Sequence, residues 1–182
     1  VLKRNEKGFY MPSIDEANCV SCKGCQRVCP ANQRLQGESW EDGTYYAVWA
    51  TSATERFEGS SGGMFGMLAE RILSAGGVVF GAAYSNDLKS VVQTSTDLVS
   101  LADLKKSKYV ESYTGSIFQE VKEALESERQ VLYCGTACQI DGLKNYLKKD
   151  YGNLFLCDFL CHGVPASGLF EKYITNLESK YG

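Results

Sequence analysis

The sequence predicts an α/β fold, with a mostly parallel or mixed sheet and flanking helices, preceded by a small cysteine-rich module. Apolar strand patterns alternate with amphipathic helical patterns from residue 44 onward, an order typical of domains built around a parallel sheet. The eight cysteines fall into two groups, at 19–29 and 134–161, with none between them. The stretch 35–43 is polar and contains glycine, as linkers do. We therefore divide the chain into residues 1–38 and 39–182.

The predicted elements follow from local composition. Residues 6–12 are expected to form a short hairpin, and the aromatic and β-branched stretch 44–51 a strand. Apolar residues at helical spacing predict a helix over Met64–Ser74, which Gly76 and Gly77 end. The other predicted strands are 78–84, 90–95, 130–134 and 153–160, and the other predicted helices are 101–105, 116–128, 137–149 and 166–180.

Composition excludes several classes of protein. A chain of 182 residues suits one domain with a small appendage, and it buries enough surface to fold without covalent staples. The net charge is −3 and no dense basic patch is present, which argues against a nucleic-acid partner. We find no secretory signal and no apolar run long enough to span a membrane. Clustered cysteines without an export signal indicate metal binding in a reducing compartment, so we predict a cytoplasmic protein.

The first cysteine group has the spacing C-x2-C-x2-C-x3-C-P, formed by Cys19, Cys22, Cys25, Cys29 and Pro30. Bacterial ferredoxins hold iron–sulfur clusters with this spacing, because two residues between cysteines let three thiolates reach one cubane. We therefore predict a ferredoxin-like iron–sulfur module with a [4Fe–4S] cluster. Zinc and a disulfide staple are the alternatives, although zinc ligands usually come as two separated pairs.

Two details of this loop are also predicted. Gly24 is expected to relieve crowding where the backbone passes close to the cluster, because it has no side chain and tolerates a positive φ, and Cys29 is expected to open a helical turn. Only one such motif is present and the chain begins with Val1, whereas two-cluster ferredoxins carry another motif upstream. The sequence is therefore expected to be a fragment.

A loop of small residues opens directly onto the first predicted helix. Its residues are Ser60, Ser61, Gly62, Gly63 and Met64. Unpaired N–H groups and the positive end of the helix dipole suit an anionic group such as a pyrophosphate. An ordinary serine N-cap is the alternative.

The run of lysines at 105–108 is a second place where charge could meet a ligand. We expect a solvated face there. The alternative is that Lys108 contacts a phosphate.

The second cysteine group lies where strands run into helices. Cys134 and Cys138 flank one strand-to-helix turn, and Cys157 and Cys161 repeat the arrangement one unit later. Ligands bind at the carboxyl ends of parallel strands, and a helix N-terminus favours thiolate, so these four cysteines are candidate cluster ligands. Cysteine is also a common small buried residue, and Cys157, inside a strand, is the one most open to that interpretation.

His162 is the only histidine and follows Cys161 directly. Its position near the edge of the predicted sheet makes it a candidate catalytic residue that moves protons near neutral pH. A hydrogen-bonded structural histidine is the alternative.

Five segments resemble the coenzyme F420 hydrogenase/dehydrogenase beta-subunit family over about residues 40–182. They are SGGMF at 61–65, GGVVFGA at 76–82, SKYV at 107–110, GTACQIDGL at 135–143 and CHGVP at 161–165. Residues 1–34 resemble the ferredoxin module that many members carry. Ala137 stands where the family usually has proline, and the family's C-terminal half is missing, which again suggests a fragment.

The resemblance implies an oxidoreductase that contains FAD and iron–sulfur clusters. Members pass electrons between a two-electron carrier, commonly coenzyme F420, and one-electron clusters. Ser61, Gly62 and Gly63 would hold the FAD phosphates. Gly135, Thr136 and Gln139 would line the flavin pocket, and Cys138 and Cys161 would ligate a cluster. A redox partner protein or subunit would dock near the Cys19–Cys29 loop, and homo-oligomerisation is left open.

Two rival functions stay open at this point. One is an electron carrier of the ferredoxin kind that turns over no substrate of its own. The other is a structural module that holds zinc in its cysteine loops.

Overall fold

The computed structural model describes residues 2–32 and 43–182. The predicted linker at 35–43, apart from Gly43, and the predicted boundary after residue 38 lie outside the described residues. Among the described helices, none combines the length and apolarity that a bilayer span requires.

The N-terminal part begins with a hairpin, in which β1 (Leu2–Arg4) pairs antiparallel with β2 (Tyr10–Pro12). The prediction at 6–12 covers its turn and second strand but not β1. The cysteine loop then forms a short helix, α1 (Gly24–Val28). Cys29 is the residue that ends this helix, and its carbonyl oxygen accepts a hydrogen bond from the N–H of Asn32 at 3.1 Å, which opens the turn that follows.

Gly24 does not have a positive φ, and the left-handed residues of the loop are Ser21 and Lys23. A Cβ at Gly24 would lie 3.4 Å from Sγ of Cys22. A side chain at this position would therefore contact the sulfur of Cys22 at an ordinary packing distance.

A mixed sheet with flanking helices forms the centre of the molecule, as predicted, and it has five strands. Its strands are β3 (Val78–Tyr84), β4 (Val91–Ser95), β5 (Ser112–Tyr113), β6 (Val131–Thr136) and β7 (Leu154–Phe159). The spatial order is β5-β4-β3-β6-β7, and only the β3–β4 pair among these is antiparallel. β7 is thus an edge strand that runs parallel to β6.

Helices cover both faces of this sheet. They are α2 (Ala53–Glu58), α3 (Met64–Ser74), α4 (Leu101–Leu104), α5 (Ile117–Glu126), α6 (Ala137–Leu147) and α7 (Ser167–Tyr181), with a 3₁₀ turn at Ser61–Gly63. One face packs against α5 and α6, in a core that includes Val121, Tyr133 and Leu143. The other packs against α3 and α4 around Ala69 and Leu132. Burying apolar side chains on both sheet faces is the main source of stability for such a fold.

The predicted strand at 44–51 is wrong. Residues 43–50 form neither a helix nor a strand and join neither sheet, and Tyr46 and Trp49 are 79% and 65% exposed. High β propensity reports how well a side chain fits a pleated, half-buried surface, and this segment meets no neighbouring strand. Ala50, at its end, is buried and donates its N–H to the oxygen of Gly62.

The hairpin packs on the last helix. Gly8 and Gly168 approach so closely that a Cβ on either would lie within 3 Å of the other's Cα. The N–H of Gly168 donates to the oxygen of Gly8 at 3.1 Å, and Arg4 pairs with Glu171. The N-terminal hairpin is therefore part of the same packed body as α7.

Candidate functional site

The carboxyl ends of β6 and β7 bring two cysteines together. Cys134 and Cys157 are directly opposite each other in the parallel ladder, and each thiol shifts the pKa of the other. Both side chains are half-buried and neither forms a disulfide. Cys157 also packs against the core cluster that contains Ala69 and Leu132, so it both packs and contacts another thiol.

The hydrogen bond between the two thiols separates their acidities. It lowers the pKa of Cys157 from 9.0 to about 7, against the opposing effect of burial. The same hydrogen bond, followed by burial, raises the pKa of Cys134 far above its ordinary value. Cys157 is therefore the thiol that ionises near neutral pH, and Cys134 is its donor.

We expect iodoacetamide to modify Cys157 with a rate that rises through a midpoint near pH 7, because only the thiolate reacts. In Cys134→Ala the donor is gone and the midpoint should move up toward the ordinary value of 9.0. Peptide mass spectrometry of alkylation time courses measures both profiles. An unchanged midpoint in Cys134→Ala would show that the thiol–thiol hydrogen bond does not set the acidity of Cys157.

Lys108 faces Cys134 at this edge. Its half-buried ammonium donates to the backbone oxygens of Asp103 and Lys105, both at 2.6 Å. Burial lowers the pKa of Lys108 to about 8. The expectation of a solvated lysine face is therefore wrong for Lys108 and for the buried Lys105, while Lys106 is exposed.

The glycine-rich loop before α3 has an unusual backbone. Ser61, Gly62 and Gly63 have φ values of 49°, 85° and 80° in succession. A Cβ at Gly63 would lie 2.9 Å from the oxygen of Glu55, and one at Gly62 would lie 3.2 Å from the oxygen of Val48. The glycines are thus required by the chain's own packing.

Gly63 is the N-cap of α3, and no side chain caps this helix. The alternative of an ordinary serine N-cap is therefore wrong. Met64 is the first residue of the helix, and its first-turn N–H groups are of the kind that anions bind.

Two contacts connect this loop to the lysine segment. Ser60 Oγ accepts a hydrogen bond from the N–H of Ser107 at 3.1 Å. Lys105 Nζ lies 2.9 Å from both carboxylate oxygens of Glu55 and 3.5 Å from Glu58. Segments 55–63 and 105–108 are thereby held together next to the α3 N-terminus.

The turn from β6 to α6 carries a polar network. Gln139 Oε1 accepts from the N–H of Thr136 at 3.0 Å, and its Nε2 donates to Ser112 Oγ at 2.9 Å. A Cβ at Gly135 would lie 3.0 Å from Gln139 Oε1, so the glycine lets this side chain fold back. Gln93 joins the network, yet its Oε1 is buried without a partner.

Sequence reasoning missed Ser112 and Gln93. Gln93 begins the polar half of β4, with Thr94 and Ser95, and all three are buried, so polarity along the strand gave no signal for its burial. Ser112 belongs to a two-residue strand that no periodicity could reveal.

The remaining second-group residues are exposed. Cys138 Sγ lies 3.1 Å from Thr136 Oγ1, and Cys161 Sγ accepts from the N–H of Gly163 at 3.4 Å. His162 is exposed in the segment between β7 and α7.

In the first group, Cys19, Cys22 and Cys25 are exposed, Cys29 is half-buried, and none is in a disulfide. Within residues 2–32 and 43–182, no three His, Cys, Asp or Glu side chains are gathered so that they could hold a metal ion. The loop does have a fixed neighbour, because α1 packs against α6. The donor set is the one that iron–sulfur clusters use.

A groove of about 740 Å³ lies elsewhere, between the hairpin and α7. Its lining includes Arg4, Lys7, Glu171 and Lys172, and no cysteine. We therefore place the candidate site at the β6–β7 edge, where Cys134 and Cys157 lie side by side and where burial lowers the pKa of Lys108.

Comparisons with protein-family models, curated proteins and solved structures gave no match for this chain.

Proposed function

We propose that this chain is a subunit of an iron–sulfur flavoprotein oxidoreductase. It would pass electrons between a two-electron carrier, F420 or a similar compound, and one-electron [4Fe–4S] clusters. The observation that carries the proposal is the C-x2-C-x2-C-x3-C-P loop, all of whose thiols are free. FAD would supply the link, since a flavin takes up a hydride and releases single electrons.

The residues of the first loop fit the iron–sulfur part of the proposal by their chemistry. Four thiols lie within eleven residues, and three of them are exposed. Ligand loops of this kind fold together with their metal, because the thiols ionise and converge only on binding. Val20 is 84% exposed between the first two cysteines and offers an apolar contact to a redox partner protein.

The α3 N-terminus fits the flavin part. Its first-turn N–H groups have no side-chain cap, which suits a pyrophosphate. Lys108 at the neighbouring edge would add a positive charge below about pH 8, its pKa. Cys138 and Cys161 are exposed and remain the proposed ligands of a second cluster, with His162 next to them as the proposed proton carrier.

The test is anaerobic reconstitution with iron, sulfide and FAD, followed by metal, sulfide and flavin counts. We expect about four iron atoms and four sulfides for the first loop, together with bound flavin. Cys22→Ser should lose the iron of that loop, whereas Val20→Ser, in the same loop without loss of a thiol, should keep it.

Lys108→Met should lower flavin retention, and the exposed Lys106→Met should not. Bound iron without bound flavin would indicate an electron carrier and not a flavoprotein. Zinc without iron or sulfide would leave a structural module and overturn the proposal.

A further inference from the structure

We propose that Cys134 and Cys157 form a redox-active dithiol that closes to a disulfide by exchange with a disulfide substrate. This site is separate from the first cysteine loop and does not depend on the proposed function. It assigns to two of the candidate cluster ligands a different chemistry, which needs no metal.

The geometry of the pair suits a disulfide. Cys134 and Cys157 are direct partners in the β6–β7 ladder, and neighbouring strands lie about 4.8 Å apart. Disulfides join Cα atoms separated by about 4.4–6.8 Å. The side chains lie on the same face of the sheet, because direct partners in a ladder project to the same side. The separation of the two strands is therefore within the range that a disulfide joins.

The positions of the two cysteines in the sheet give their sulfurs different roles in the exchange. Cys157 lies on the edge strand, and the residues before and after it on the same face, Phe155 and Phe159, are 48% and 53% exposed. A disulfide substrate can thus reach Cys157 from this partly uncovered face. Cys134 lies one strand further in, between β3 and β7, and would act as the resolving thiol.

The exchange runs in two balanced steps. The Cys157 thiolate attacks one sulfur of the substrate, which forms a mixed disulfide and releases one substrate thiolate. Cys134 then loses its proton, attacks Sγ of Cys157, and releases the second substrate thiolate. Two protein thiols are oxidised to one disulfide, and one substrate disulfide is reduced to two thiols.

The test uses the full chain, reduced and then equilibrated anaerobically in glutathione buffers of increasing oxidised fraction. Free thiols are blocked and trypsin digests are analysed under non-reducing conditions. We expect the count of eight free thiols to fall by two, and a peptide pair that links 130–144 to 150–172. Because each peptide contains two cysteines, fragmentation must assign the bond to Cys134 and Cys157.

Variants separate the two roles. Cys134→Ser should stop at a mixed disulfide of glutathione on Cys157, whereas Cys157→Ser should take up no glutathione at Cys134. Cys138→Ser should form the disulfide as the native chain does. If a variant fails to fold, the digest of the native chain still shows whether Cys134 and Cys157 form the disulfide.

Three results would overturn the inference. One is a bond to Cys138 or Cys161 in place of the predicted pair. Another is a native chain whose Cys134 and Cys157 stay reduced throughout the buffer series. The third is reconstituted protein in which iron protects both thiols from alkylation, because they would then be cluster ligands.

Discussion

Gly77→Ala is expected to destabilise the protein by about 3 kcal/mol or more, because the added methyl group has no room. A Cβ at Gly77 would lie 2.4 Å from the oxygen of Gln130 and 2.6 Å from Cγ2 of Ile72. Gly77 is buried between α3 and β3, and its N–H donates to the oxygen of Ile72 at 3.0 Å. The substitution must therefore push the end of α3 away from the strand that follows.

Gly76→Ala and Gly152→Ala serve as controls, and urea unfolding measures the stability of all three variants. Gly76 has a φ of +76° with open space around it, so Gly76→Ala should cost only the left-handed strain of about 1–2 kcal/mol. Gly152 has neither a positive φ nor a close neighbour, and Gly152→Ala should change stability by less than about 0.5 kcal/mol. Equal losses for positions 76 and 77 would contradict the steric argument.

Glu55→Ala is expected to lower the free energy of unfolding by about 2–3 kcal/mol, because it leaves a buried ammonium without its main partner. The side chain of Lys105 is 8% exposed and that of Glu55 is 21% exposed. Glu58 is 50% exposed and 3.5 Å away, so Glu58→Ala should cost less than about 1 kcal/mol. Denaturant titration of both variants gives the comparison, and a larger loss for Glu58→Ala would refute the assignment.

The pH dependence of this pair has a definite sign. The hydrogen bond to Glu55 raises the pKa of Lys105 above 10.5, so the folded state holds the proton more tightly than the unfolded state. The stabilisation is fully present below pH 10.5 and is lost as the pH rises through the folded pKa. The stability gap between the native protein and Glu55→Ala should therefore stay constant up to pH 10.5 and shrink as the pH rises above that value.

The sequence predicted most of the fold because the core elements have strong periodicity. α3 and β3 have the predicted bounds, since each buries a regular apolar pattern. The strand predicted at 44–51 is absent, because aromatic residues favour strands only where a neighbouring strand exists. β5 was not predicted, because its two residues form a strand through pairing with the adjacent β4 and not through their own composition.

The candidate site was predicted less completely. Both cysteine groups could be singled out by spacing, but the direct pairing of Cys134 with Cys157 depends on the register of two strands. That register is set by the packing of whole elements. The role of Gln139 was likewise hidden, because its side chain folds back over Gly135 and no local pattern encodes that contact.

The contact between the hairpin and α7 has a consequence for the order of events during synthesis. Ser167 donates to the oxygen of Gly8 across 159 positions of the chain. At about 5–20 residues per second, a ribosome would need about 10–30 s to make the intervening chain. The hairpin therefore waits without its packing partner while the sheet is being completed. The face around Gly8, which α7 covers in the complete fold, is uncovered during that interval.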